Sequence, residues 1–223
     1  MMKKTKADHA LTALKAGLSL VPAVGGTLAT LVGDYLPTAT QRSIERALAI
    51  LEERLAAIEA RIELGSVDRD EFVELFKSCY LVIVRSHREE RLRGAANLLA
   101  NMLLRPDDRD KLSYTALDHF VRCLETLSIG ALEVLVTVGV LAGEGSVRSK
   151  STIDFRQLSK RMPCFEPDLL MGLVGELGAA NFVHLPGVPE IRTVEYGNYT
   201  IEFTGLGRQF LAHVLSQEEG CDA

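Results

Sequence analysis

Cysteine and proline are scarce in this chain, and it has no excess of positive charge. The four cysteines, at 79, 123, 164 and 221, show neither the paired spacing of a zinc site nor the density of a disulfide framework. A reducing, cytoplasmic setting is therefore expected. Seven prolines and 18 glycines in 223 residues exclude collagen-like and low-complexity chains. Lys and Arg number 25 against 30 acidic residues, and a net charge of −5 leaves the chain as a whole without the electrostatic footprint of a nucleic-acid binder. The histidines, at 9, 87, 119, 184 and 213, are scattered, and no Ser, His and Asp order points to a nucleophile elbow. Gly143-Glu144-Gly145-Ser146 lacks the third glycine and the preceding strand of a phosphate-binding loop. The run Arg85-Ser86-His87-Arg88-Glu89-Glu90-Arg91 has residue types suited to acid–base work but reads as a charged connection between two helices. No catalytic residue, metal or cofactor is assigned, and the chain reads as non-enzymatic. A composition of 47% hydrophobic and 25% charged residues is that of a soluble protein with a core.

Residues 16–33 are eighteen consecutive uncharged positions, between Lys15 and Asp34. One straight helix of that length would just reach across a hydrocarbon layer of roughly 30 Å. Pro22, Gly25 and Gly26 break it at the centre, so two short helices over 8–20 and 25–36 are expected, forming an apolar hairpin. Leu18, Val21, Val24, Leu28, Leu31 and Val32 are its apolar positions, destined either for the protein's own core or for lipid. Lys3, Lys4, Lys6 and Lys15 would favour an anionic membrane surface. Asp8 and His9 interrupt the pattern of a signal peptide, so none is expected.

From Thr38, with Gln41 completing a capping box, Ile44, Leu48, Leu51, Leu55, Ile58 and Ile62 recur at alternating steps of four and three, and Gly65 closes the run. This is the seam of a coiled coil or an antiparallel bundle and the expected surface for self-assembly. Further helices are expected over 68–85 (Phe72, Leu75, Phe76, Cys79 and Ile83 inward), over 89–104 (Leu92, Ala95, Leu99 and Met102) and over 114–127 (Leu117, Phe120, Val121 and Leu124). Arg105-Pro106-Asp107-Asp108 breaks the chain between the last two.

Ser128 caps a helix over 129–142 with Leu132, Leu135 and Val136 inward, and 143–151 reads as a flexible connection. Asp154 caps a short helix to 162, and Pro167 opens another that ends near 178. The period then changes. Phe182, Val183 and Leu185, then Ile191 and Val194, then Tyr199, Ile201 and Phe203 are strand-like, and Thr204 caps a closing helix. Three helices, a hairpin with a long tip and a closing helix make a winged-helix order, a variant of helix-turn-helix.

A DNA-reading helix needs cations, yet 166–181 holds Glu166, Asp168 and Glu176 and no lysine or arginine. From 128 to 223 the count is 7 basic against 12 acidic. Arg148, Lys150, Arg156, Lys160 and Arg161 form the basic cluster on which an alternative DNA-contact reading rests.

The run Arg93-Gly94-Ala95-Ala96-Asn97-Leu98-Leu99-Ala100-Asn101, the segment Phe120 to Ser128 and the closing Thr204-Gly205-Leu206-Gly207-Arg208-Gln209-Phe210 resemble bacterial abortive-infection proteins of the alpha type, over about residues 40–215. The resemblance implies a role in limiting phage and a winged-helix-like end, and it carries no catalytic residues. The whole is a mainly α chain in three parts: an apolar hairpin (1–37), a helical bundle with a heptad helix (38–127) and a winged-helix-like α+β domain (128–223). The expected activity is contact with a protein partner, self or other, with membrane lipid as an additional partner of the hairpin. The alternative is a transcriptional regulator that dimerises through its helical portion.

Overall fold

The structure, a computed structural model, describes residues 38–144, 152–186 and 199–215. The hairpin positions Leu18, Val21, Val24, Leu28, Leu31 and Val32, the basic residues Arg148 and Lys150, and the strand positions Ile191 and Val194 lie outside them. The side chains of Thr38 and Gln41, the expected capping box, are likewise outside the description. The fold is mainly helical with one small antiparallel sheet, and the chain divides into two compact units, Met1–Glu125 and Thr126–Ala223. Among the described residues no single helix is long and apolar enough to cross a membrane.

The first unit contains α1 (Thr38–Ala57), α2 (Arg69–Arg85), α3 (Glu89–Met102) and α4 (Tyr114–Thr126). Its central element is α3, in which every residue from Gly94 to Met102 is buried. Gly94, Ala95, Ala96 and Ala100 keep that helix slim, so α1 and α2 both pack on it. Asp68 opens α2 by accepting from the Asp70 and Glu71 amides at 2.9 and 3.0 Å. Of the inward set expected on α2, Leu75, Phe76 and Cys79 are buried, while Phe72 and Ile83 are half-buried and Val82 is buried in addition.

One expectation for the heptad run is corrected. Its α-helix ends at Ala57 rather than continuing to Gly65, and the chain proceeds through 3-10 turns at Glu59–Arg61 and Leu64–Ser66. Four of the six seam residues, Leu51, Leu55, Ile58 and Ile62, are at most 3% exposed and belong to this unit's own core, so the seam is taken up within the chain. Ile44 and Leu48 are half-buried at its rim. Full burial of each such side chain contributes about 2 kcal/mol, which makes packing inside the chain the stronger claim on them.

The second unit runs α5 (Ile129–Glu144), β1 (Thr152–Asp154), α6 (Phe155–Arg161), α7 (Pro167–Ala179), β2 (Val183–His184), β3 (Thr200–Phe203) and α8 (Gly205–Phe210), followed by a π-turn at Leu211–Leu215. The sheet order is β1-β3-β2, antiparallel throughout, with Ile153 opposite Ile201 and Val183 opposite Phe203. The sequence reading missed β1, which pairs with β3 across a separation of about 48 residues. Ile201 and Phe203 point into the core, and the Phe182 and Phe210 rings meet there at 4.5 Å between centroids. On α5, Val134, Leu135 and Val138 are buried, whereas Val136, expected inward, is 43% exposed.

The turn out of α7 is a Schellman motif. Asn181 takes the left-handed conformation with φ of 58°, its amide donates to Gly178 O at 3.0 Å, and the Phe182 amide donates to Leu177 O at 2.9 Å. Asparagine tolerates this backbone better than any β-branched residue does. Asn181→Val is expected to lower the stability of the second unit by about 1–2 kcal/mol, while Asn181→Gly leaves it within about 0.5 kcal/mol, as read by urea unfolding.

Candidate interaction surface

The solvent face of the second unit is set by how α6 and α7 bury their other sides. Phe155 and Leu158 anchor α6, which turns Arg156, Lys160 and Arg161 outward. Pro167 at the first position of α7 fixes its start. Leu170, Leu173, Val174 and Leu177, at steps of three, one and three, bury one stripe of α7. The opposite stripe carries Asp168, Leu169, Gly172 and Gly175, and Leu169 is 54% exposed. A Cβ added at Gly172 or Gly175 would meet nothing within 4 Å, so no packing inside the unit requires glycine there.

Glu176, one of the three acids flagged on this segment, does not belong to the outer face. Its carboxylate accepts from the Ser128 amide at 2.9 Å and from the Ser128 hydroxyl at 3.1 Å, while Ser128 Oγ accepts from the Ala131 amide. The carboxylate therefore closes the N-terminus of α5, where helix amides and dipole both favour an anion. Glu166 and Asp168 remain at the exposed N-terminal end of α7. That is the end at which a DNA-reading helix would meet base edges and phosphates, and here it bears two carboxylates and no cation.

Three polar clusters among the described residues of the first unit have structural uses. The flagged run at 85–91 is the α2–α3 connection. Arg85 pairs with Glu125, Arg46 and Arg93 pair with Glu89, and Ser86 Oγ accepts from the Arg88 amide. Ser43 Oγ lies 3.0 Å from His87 Nδ1, a Ser–His contact that sequence separation concealed. Ser43 is only 4% exposed and the described residues place no carboxylate on the imidazole, so the pair lacks both access and the third member of a hydrolytic triad.

The second cluster ties the 105–113 loop to the turn after α1. Arg61 donates to both Asp108 oxygens at 2.7 and 2.5 Å and to Asp110 at 2.6 Å. The guanidinium holds the Asp108 carboxyl well below the usual carboxylate range, against the opposing effect of burial. Asn101 supports the same loop through Asp110 O and the Leu112 amide.

Beside it, a cleft of about 370 Å³ is lined by Asp68, Glu71, Lys111 and Tyr114 among others. Lys111 Nζ donates to Met102 O at 2.6 Å, satisfying a carbonyl at the end of α3, and burial pulls its pKa down. Burial, together with Glu74, Asp118 and Glu71, pushes the Tyr114 phenol up. Cys123 is pushed up to about 11 by burial, and Cys79 rises for the same reason, which makes both thiols poor nucleophiles. Among the described residues no group of His, Cys, Asp and Glu is arranged to hold a metal.

No family model, curated protein or solved structure matches this chain.

Proposed function

We propose that this is a non-enzymatic bacterial defence or regulatory protein whose second unit is a winged helix used to dock a protein partner. The α-β-α-α-β-β-α order and the β1-β3-β2 sheet support the winged-helix reading. One observation carries the choice of partner. The outward end of α7 presents Glu166, Asp168 and the exposed apolar Leu169 without any lysine or arginine, which suits a protein surface and repels a phosphate backbone. Resemblance to alpha-type abortive-infection proteins adds the expectation of a role in limiting phage. The uncharged stretch 16–33 adds lipid as a further partner.

A second reading is favoured by a specific feature, the outward Arg156, Lys160 and Arg161 on α6. These would serve a transcriptional regulator. Fluorescence anisotropy with labelled genomic fragments at low salt separates the two. The docking reading expects no specific binding. Affinity that falls steeply with salt and disappears in the Arg156→Gln, Lys160→Gln, Arg161→Gln triple variant would replace it with the DNA reading.

A further inference from the structure

The first unit has an apolar cleft open on one side, lined by Ile44 and Leu48 of α1 and Tyr80 and Ile83 of α2, with Leu51 and Phe76 behind them. Its free volume is about 30 Å³. That is room for the tip of a branched aliphatic side chain and far below the several hundred Å³ of a small-molecule site. A hole of this size framed by side chains of two helices accepts an apolar knob from a third segment. We propose that the uncharged stretch 16–33 of the same chain seats on this cleft and covers it.

Position and chemistry choose that occupant. Thirty-seven residues precede α1, and only residues 34–37 separate the stretch from its first turn. Ile44 and Leu48 lie in the second and third turns, roughly 9 and 15 Å along the helix at 1.5 Å per residue. Four linking residues span up to about 14 Å, so a segment doubling back on α1 reaches both. A tether this short holds the stretch at an effective concentration in the millimolar range, well above that of a second copy at ordinary protein concentrations. The stretch supplies Leu, Val and Ala with no charge, and the cleft offers apolar lining with no charge to satisfy. Covering the cleft and the stretch together removes two apolar surfaces from water at once.

The inference deepens the lipid arm of the proposed function by giving the stretch a resting place inside the protein. It is independent of the docking role of α7. A membrane would have to win the stretch from this cleft, so lipid binding is regulated by how firmly the cover is held.

The test uses the full chain with the photoreactive residue p-benzoylphenylalanine at position 80, close in shape to the tyrosine it replaces. Irradiation at low micromolar concentration should give a monomer-sized product whose cross-linked peptide maps within 16–33. The same residue at position 48 should give the same link, and at position 73, exposed and outside the cleft, none. Circular dichroism of each variant confirms the fold, and position 48 replaces position 80 if only one folds. A covalent dimer as the main product, or monomers with no link into 16–33 from either position, overturns the proposal. Liposome flotation of the unmodified chain distinguishes the arms. A link without flotation leaves the cover and removes lipid as a partner, and flotation without the link does the reverse.

Discussion

Gly207→Ala is expected to destabilise the second unit by about 3 kcal/mol, the upper end of what forcing a carbon into a packed site costs. A Cβ at this position would stand 2.3 Å from Phe182 O and 2.7 Å from the Phe203 ring. The first obstacle is backbone. Phe182 O is itself held by the Thr204 amide at 3.2 Å and the Thr204 hydroxyl at 2.9 Å, and that hydroxyl caps α8 by accepting from the Gly207 amide. Nothing there gives way without loosening the junction between α7, β2 and α8. Gly205, two residues earlier, has nothing within 4 Å, so Gly205→Ala should be neutral or stabilising by up to about 1 kcal/mol. Thermal unfolding of the two variants checks the contrast, and equal stabilities would refute it. The same geometry explains physically why the closing Thr204-Gly205-Leu206-Gly207 run has its residues in that order: the threonine caps, and only the second glycine is sterically required.

The Arg61–Asp108 pair should give the other large effect. The Asp108 side chain is 6% exposed and that of Arg61 is 31% exposed. Removing the cation leaves a buried carboxylate unpaired, so Arg61→Met is expected to cost about 3 kcal/mol. Asp108→Asn leaves a partly solvated guanidinium still bonded to Asp110 and should cost about 1–2 kcal/mol. The double variant Arg61→Met, Asp108→Leu should recover part of the loss, because no buried charge then remains. The pair also sets a pH dependence. Because the folded-state pKa of Asp108 is depressed, the unfolded chain binds the extra proton near its ordinary value of about 3.9. The contribution is therefore fully present above about pH 5 and is lost progressively as pH falls through 4 towards the folded value. Urea unfolding from pH 6 down to pH 3 should show a steeper loss for the wild type than for Asp108→Asn. Parallel curves would remove the pair from the account.

Local chemistry was legible in the sequence. Ser128, Pro167 and Thr204 open helices where their side chains suit a helix start, because capping involves only the next three residues, whereas Asp154, expected to cap α6, stands at its N-cap without a side-chain cap hydrogen bond. The inward stripe of α4, Leu117, Phe120, Val121 and Leu124, follows helical spacing because it too is set by local periodicity. Features decided by distant partners were not legible. Ile58 and Ile62 continue the heptad spacing after the helix has ended, because the bridge between Ile62 and Leu104 draws the chain away. The three-residue β1 is too short to show alternation and exists through its pairing with β3. Val136 was misassigned because α5 is apolar on nearly every side, so spacing gives no direction. The Glu176 carboxylate is engaged by Ser128, 48 residues away, a partner that local spacing does not reveal.

At the candidate surface, the acidic character of the segment was visible in composition, and the separation of Glu166 and Asp168 from Glu176 was not. That separation narrows the proposed docking face to the N-terminal half of α7, around Leu169.

The most direct measurement of that face is photocross-linking in cells from p-benzoylphenylalanine at position 169, in the full chain, with position 160 on α6 compared in parallel. The account predicts protein adducts from position 169 that are strongly reduced by Asp168→Lys, and no nucleic-acid adducts from either position. Nucleic acid captured from position 160 or 169, or no protein adduct from 169 under conditions where the chain is active, would contradict it.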